Sequence, residues 1–275
     1  MKERLLKKII GKLMKGQLRS VQGQAFFEWM HLYALQGLNY GSGFDITDDG
    51  ELFFLTWLKK QLSGKKGIQI LDVGANVGKY ASAVAEVFSG EQFSIHSFEP
   101  STYTYKKLGE NTSKYPEVKT YPFGLSNEAT EKELFYHVEG AGMASVYKRR
   151  LDHHGIKEEL KEEIYLDTLD NWMEKSQIEE VDLLKMDVEG HELQVLEGGK
   201  NSLKSGKIKA IQFEFGGCNL DSGTTFQDFY YALKDDYQLF RLMKDGMTPV
   251  AKYSEVLEIY LTTNYIAIHN QLNWK

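Results

Sequence analysis

The stretch Ile68-Gln69-Ile70-Leu71-Asp72-Val73-Gly74-Ala75-Asn76-Val77-Gly78 leaves this chain few architectures to choose from. Ile68 to Val73 is an apolar, β-branched-rich run, the pattern of a strand buried on both faces. A carboxylate and a glycine-rich turn end it, and Lys79 to Phe88 follows with Ala81, Val84, Ala85 and Phe88 at helical spacing. Strand, tight turn and helix form the opening unit of a nucleotide-binding α/β fold. Gly74 permits a sharp bend, and its missing side chain lets a ligand lie against the main chain. The amides at the helix start are then expected to face that ligand.

The alternation continues downstream. Phe93 to Phe98 reads as a second strand, closed by Glu99-Pro100, and residues 101–113 as a helix. Val118 to Phe123 is a third strand, ending in the turn Gly124-Leu125-Ser126-Asn127 beside the same crevice. Residues 128–166 interrupt the pattern. They hold one alternating segment, Glu133 to Val138, a small-residue loop from Gly140 to Tyr147, and the cluster Arg149, Arg150, His153 and His154. This insertion is the candidate substrate-recognition segment. Two adjacent histidines without spaced partners are a poor metal signal. Order resumes with a helix from Asp167 to Lys175, a strand from Val181 to Asp187, and Val188-Glu189-Gly190-His191-Glu192 leading into a helix. Strands at 208–215, 237–242 and 265–269 and a helix at 226–233 complete a mainly parallel sheet covered on both faces.

The amino-terminal part differs in character. Seven cations in residues 1–20 stand against Glu3 alone, giving +6, which leaves −12 for the rest of a chain whose net charge is −6. Leu5, Leu6, Ile9, Ile10, Leu13 and Met14 recur at helical spacing, so the segment reads as a basic amphipathic helix. Packing on the domain with the basic face in water is the ordinary use of such a helix; a peripheral contact with an anionic membrane is the functional alternative. Residues 1–62 as a whole read as a helical extension or cap, and 63–275 as the α/β domain with its insertion around 128–166. The acids Asp45, Asp48, Asp49 and Glu51 lie in a loop that leads into a helix. The acidic balance argues against nucleic acid as a partner. The lone Cys218 excludes an internal disulfide, and no run is apolar enough to span a membrane or serve as a signal peptide, so the expected location is the cytoplasm.

Three ligands compete for the glycine turn. A phosphate-binding loop needs wider glycine spacing than Gly74 and Gly78 provide, and Tyr80 stands where Ser or Thr belongs. A dinucleotide fingerprint needs glycine at Asn76, and Asp72 would repel a pyrophosphate. S-adenosylmethionine carries a sulfonium and an amino acid end but no phosphate, so acids help. Asp72 can meet its cationic end, and Glu99, about 20 residues past the turn, can accept both ribose hydroxyls.

Leu71 to Gly78, Phe98-Glu99-Pro100, Gly124 to Asn127, Gly142-Met143-Ala144-Ser145, Thr168-Leu169-Asp170 and Leu184 to Leu193 together resemble the FkbM family of methyltransferases. The K-x-D-x-E-G-x-E segment from Lys185 to Glu192 is the most specific part, and the likeness spans roughly residues 40–268. It implies a Rossmann-like class I methyltransferase fold with a seven-stranded sheet whose last strand is antiparallel. It also implies methyl transfer from S-adenosylmethionine, usually to an oxygen of a sugar, glycan or polyketide. Cofactor contacts then fall on Asp72, Gly74, Asn76, Gly78, Glu99, Ser126 and Asn127. In such a fold the end of the fourth strand lies beside the reactive sulfur, so Asp187, Glu189 and His191, in that order, are candidates to deprotonate or orient an alcohol. Lys185 and Asp187 share a strand face and are placed to pair. Asp187, Glu189 and Glu214 have the hard oxygens that a divalent ion would use, though no metal is expected. A cofactor-binding scaffold without turnover, and a dinucleotide oxidoreductase, remain as alternatives.

Overall fold

The structure, a computed structural model, describes residues 11, 15–16, 18–41, 46, 48–157, 159–272 and 274. The basic segment 1–20 and Asp45 therefore lie largely outside the described residues. In chain order the elements are α1 (Gln24–Gly37), α2 (Glu51–Gln61), β1 (Ile68–Val73), α3 (Lys79–Val87), β2 (Phe93–Phe98), α4 (Thr102–Thr112), β3 (Val118–Tyr121), β4 (Gly124–Ser126), β5 (Thr130–Tyr136) and β6 (Leu160–Thr168). They continue with α5 (Leu169–Lys175), β7 (Leu183–Met186), α6 (Glu192–Gly198), α7 (Lys200–Lys204), β8 (Ala210–Phe215), α8 (Cys218–Ser222), α9 (Phe226–Leu233), β9 (Tyr237–Met243), β10 (Gly246–Pro249) and β11 (Thr263–His269).

The main sheet has eight strands in the order β10-β9-β11-β8-β7-β1-β2-β3. This corrects the expected seven. Gly246 to Pro249 folds back after a short turn and pairs antiparallel with β9, adding an edge strand that the sequence pattern did not announce. Without β10 the expected seven remain, and the last strand, β11, is antiparallel to both β8 and β9. The architecture is the class I methyltransferase α/β fold. β1 pairs parallel with β2 on one side and β7 on the other, so the strand order reverses at β1. A crevice opens at the carboxyl ends of strands at such a reversal, and ligands bind there.

Alternation along β1 divides the core. Leu71 and Val73 face Leu184, Met186, Phe213 and Trp172 on one side of the sheet. Ile68 and Ile70 face α2 and α3 on the other, with Phe54, Leu55, Leu58, Val84 and Phe88 fully buried. Each such side chain contributes roughly 1.5–3 kcal/mol by leaving water. Helix α2 is thus part of the core of the main sheet. Lys59 and Lys60 lie in its last turn, where positive charge is favourable to the helix dipole.

The irregular insertion is more ordered than its sequence suggests. β5 pairs antiparallel with β6 from Thr130↔Leu166 to Tyr136↔Leu160, and β4 adds parallel to β6. This three-stranded sheet has its own small core of Leu134, Ile164 and Leu166 and stands over the carboxyl end of the main sheet.

Candidate active site

The glycine turn is welded to the end of β2. The amides of Gly74 and Ala75 both donate to the Phe98 carbonyl, at 3.0 and 2.9 Å, and the Asn76 amide donates to Glu99 Oε2 at 2.8 Å. Gly78 N closes on Ala75 O at 2.9 Å. These four turn amides are occupied by the protein itself, so the ligand contact expected of the helix start falls to the amides from Lys79 onward. The glycine at 74 has an additional reason. Its φ is +80°, and a Cβ there would fall 1.9 Å from the Asp187 carbonyl oxygen. Any side chain would therefore separate β1 from the β7 loop. Gly78, with φ +86°, caps α3, and a Cβ there would press on Leu108 and Thr112 of α4 at under 3 Å. It packs α3 on α4 and is not among the residues that line the cavity.

Glu99 is the most tightly held carboxylate of the site. Besides the Asn76 amide, it accepts from Ser101 N at 3.0 Å and Thr104 Oγ1 at 2.8 Å, both on Oε1. Burial raises its pKa and these three donors oppose the rise. Oε2 carries one partner, so a lone pair remains for a hydroxyl in the adjoining cavity.

That cavity has a volume of about 390 Å³, within the size range of small-molecule sites. Gly74, Asn76, Glu99, Asp187, Glu189 and His191 line it, with Leu125, Leu134, Ile164 and Leu166 as its apolar wall. The insertion therefore supplies much of the lining. Five carboxylates face the cavity, from Glu99, Glu139, Glu162, Asp187 and Glu189, against one lysine, Lys106. Such a cavity suits a cationic ligand.

The segment from Lys185 to Glu192 acts as one folded unit, which explains its spacing. Lys185 Nζ lies 3.1 Å from Asp187 Oδ2, two residues along the same strand face. Glu189 has φ +53°, an uncommon conformation for a residue with a side chain. Glu192 Oε1 holds the bend by accepting from Val188 N at 3.0 Å and Gly190 N at 3.3 Å. Ser145 Oγ donates to the Glu189 carbonyl at 2.8 Å, and Arg149 Nη1 meets Glu189 Oε2 at 2.6 Å. Burial pushes Glu189 above the usual carboxylate range, and nearby Asp187 adds to the rise. Glu192 is pushed up to about 7, chiefly by burial. Glu214, with Asp187, Glu189 and Glu192 around it, is raised further, again by burial first.

His191 is fixed from both sides. Its Nε2 lies 2.9 Å from Ser126 Oγ and its Nδ1 3.0 Å from the Tyr147 hydroxyl. Ser126 donates its only proton to Asn127 Oδ1 at 3.1 Å, so it accepts from Nε2–H, and Nδ1 accepts from Tyr147. Burial lowers the His191 pKa to about 4, so the ring is neutral. Ser126 and Asn127 do not line the cavity; they act behind His191.

Asp72 also sits behind the cavity wall. It is fully buried, and neither carboxylate oxygen has a hydrogen-bond partner. Its compensation is ionic, with Lys185 Nζ at 3.8 Å. Burial pushes Asp72 up to about 6 although Lys185 pulls it down. For Lys185, burial works against the charge, but Asp187, Asp72 and Glu51 together outweigh it and hold the ammonium above the usual lysine range. Around this pair lie the Tyr80 ring, 5.0 Å from Nζ, and Gln212, which accepts from Tyr80 Oη at 2.9 Å and donates to Glu51 Oε1 at 2.5 Å. Burial raises Glu51 to about 8.

The fold thus brings six of the expected site residues to one cavity: Gly74, Asn76, Glu99, Asp187, Glu189 and His191. Asp72, Gly78, Ser126 and Asn127 stand one layer back. Sequence reasoning passed over Ser101, Thr104 and Tyr147, and placed Arg149 only in a basic cluster. The polar residues directly after Glu99-Pro100 were the available signal for Ser101 and Thr104; Tyr147 had none, because its partner lies 44 residues away. Among the described residues no three His, Cys, Asp or Glu side chains converge as metal ligands, and no helix is long and apolar enough to cross a membrane.

Comparison with known proteins agrees with this geometry. The chain is 30% identical over 149 residues to the hexuronic acid methyltransferase AglP of Haloferax volcanii, covering 53% of this chain and 55% of that protein. It is 26% identical over 176 residues to the antimetabolite synthetase AmbE of Pseudomonas aeruginosa, covering 53% of this chain and 8% of that one. The chain thus spans about half the length of the first and under a tenth of the second. Among solved structures, an FkbM methyltransferase from Methylobacillus flagellatus superposes with a TM-score of 0.47 at 15% identity, covering 73% of this chain and 43% of that one. The family model of the methyltransferase FkbM domain matches residues 72–241, from the carboxylate of β1 into β9 and across the whole cavity. The chain belongs to the FkbM methyltransferase family.

Proposed function

We propose that the cavity binds S-adenosylmethionine and that the protein transfers its methyl group to a hydroxyl of a sugar or glycan. The observation that carries this reading is the division of labour at the turn. The amides of Gly74, Ala75 and Asn76, at the turn beside which a pyrophosphate would lie, are bonded to Phe98 and Glu99, while the cavity is lined by carboxylates. A phosphate-free cation is the ligand that such a site favours. The residues fit it: Glu99 Oε2 keeps a lone pair for a ribose hydroxyl, and the apolar wall from Leu125 to Leu166 can take an adenine. When bound, this cofactor supplies a methyl carbon on a positively charged sulfur, open to in-line displacement by oxygen.

The chain's own residues supply orientation and proton removal. Lys185 fixes Asp187 through Oδ2, and Oδ1 makes no hydrogen bond among the described residues. Asp187 is the most exposed acid of the segment, with 39% of its side chain accessible. It accepts the hydroxyl proton as the oxygen attacks. Glu189, paired with Arg149, orients the acceptor, and neutral His191 ties the 140–147 loop to β4. The AglP likeness supports a sugar acceptor, and the insertion lining the cavity is the part that would select it. Residues 63–275, with α2 packed into the core of their sheet, then form the catalytic domain.

Calorimetry with S-adenosylmethionine tests the cofactor assignment. Wild type should bind in the micromolar range and Glu99→Ala should not; equal binding by both, or by neither, overturns it. Mass spectrometry of hexuronic acid glycans incubated with isotopically methyl-labelled cofactor tests the transfer. A gain of one methyl on a hydroxyl is expected; a methyl found on the carboxyl as an ester would overturn hydroxyl direction.

A further inference from the structure

Strand β6 and the segment after Glu99 run side by side along the cavity. They meet first at Gly124, where a Cβ would fall 2.7 Å from Leu166 Cδ2 and 3.4 Å from Pro100 Cγ. They meet again at Glu162, whose Oε2 accepts from Thr102 N at 3.2 Å. Glu162, Ile164 and Leu166 are alternate residues of one strand, so they share a face, and all three line the cavity with Glu99 and Pro100. Ile164 and Leu166 are buried and apolar. The slot they wall therefore has Glu99-Pro100 at its Leu166 end and Glu162 beyond Ile164. The two acids are tethered to consecutive amides, Glu99 to Ser101 N and Glu162 to Thr102 N. Glu162 Oε1 makes no hydrogen bond among the described residues, and no step of the proposed methyl transfer uses it.

We propose that Glu162 reads the base of the cofactor by accepting a hydrogen bond from the exocyclic amino group of adenine. This role rests on S-adenosylmethionine being the ligand of the cavity. With the ribose hydroxyls at Glu99, the flat ring lies against Leu166 and Ile164, and its far edge reaches Glu162. That edge of adenine carries an amino group, and a carboxylate oxygen can only accept. A base with a carbonyl at the same carbon would set its lone pairs against those of Glu162. A site built to take an N–H rejects such a ligand more strongly than an apolar slot can. The Thr102 amide occupies Oε2 and so fixes which oxygen is left for the base. Glu139, also in the lining, makes no hydrogen bond among the described residues that would hold it in one place. The insertion thus serves the cofactor as well as the acceptor.

Calorimetry with two ligands is the test. One is S-adenosylhomocysteine, the cofactor without its methyl group; the other is S-inosylhomocysteine, in which a carbonyl replaces the amino group of the base. Wild type should bind the first more tightly by about tenfold or more, the worth of a hydrogen bond to a charged group. Glu162→Ala should lose about that factor for the adenosyl ligand and little for the inosyl one, so the preference disappears. Glu162→Gln keeps the Thr102 contact and goes further. Its single oxygen is taken by the Thr102 amide, its N–H groups then face the base, and the preference should turn toward the inosyl ligand. A wild type that binds both ligands equally overturns the proposal, and so does either variant with the wild-type preference. In those cases binding of S-adenosylhomocysteine leaves the cofactor assignment standing. A wild type that binds neither ligand overturns the role of Glu162 and the cofactor assignment together.

Discussion

Two carboxylates flank the glycine turn, and the protein treats them in opposite ways. Glu99 is saturated with neutral donors, two backbone amides and a threonine hydroxyl, and keeps one lone pair turned to the cavity. Asp72 is more deeply buried, has no hydrogen bond on either oxygen, and is held by the charge of Lys185 alone. Hydrogen bonds fix direction, so Glu99 is a rigid acceptor ready for a hydroxyl. A bare ion pair fixes charge but little direction, so Asp72 serves to keep Lys185 protonated and aimed at Asp187. The turn therefore has a geometric side and an electrostatic side.

The sharpest way to break this contrast is Lys185→Met. It leaves Asp72 buried without its counter-charge, and removing one partner of a buried pair costs about 3–5 kcal/mol. Urea melts should register that loss, and the double variant Asp72→Asn, Lys185→Met should recover most of it. Were the single variant as stable as wild type, Asp72 would not depend on the pair. Next in size is Glu99→Gln, which preserves shape and removes charge. Cofactor affinity measured by calorimetry should fall roughly 10- to 100-fold, the worth of a charged hydrogen bond, while stability changes less than for Lys185→Met. Thr104→Val then removes one of the three donors on Glu99. It should cost about 1 kcal/mol in the same melts and weaken cofactor binding by less than about tenfold.

Outside that ranking of variants lies a pH slope. Burial raises Glu51 from 4.5 to about 8, so between those values the unfolded chain has lost a proton that the folded chain retains. Its contribution to stability is complete at low pH and declines as pH rises toward 8. Glu51→Gln should therefore flatten the fall in melting temperature between pH 5 and 8, recorded by differential scanning fluorimetry in a pH series. His96 and His191 act in the opposite sense. Burial lowers both to about 4, so they remove stability as pH falls through the range from 6.5 to 4.

Much of this arrangement was legible in the residues. The period of β1, β2 and α9 and the place of Glu99 just past the end of β2 read correctly because each is a local pattern, set within a few residues by side-chain alternation or helical spacing. The insertion was harder. β6 runs for nine residues, Leu160–Thr168. Its first residues face solvent or the cavity rather than a continuous core, so no clean alternation marks it. β10 was invisible for the same reason: four residues at a sheet edge bury too little to leave a pattern.

The sequence by itself determined the α/β alternation, the turn, and which acids stand near it, because strand period, glycine placement and motif spacing are properties of neighbouring residues. Only the tertiary structure decided which of those acids face the cavity. Asp72 and Glu99 each lie at the end of a strand and look equivalent in one dimension, yet they differ in burial and in what packs over them. Hydrogen-bond donors such as Thr104 reach Glu99, while α2 and Gln212 enclose the space around Asp72 and Lys185. Burial and partnership are set by contacts between distant segments, and those form only when the sheet is closed.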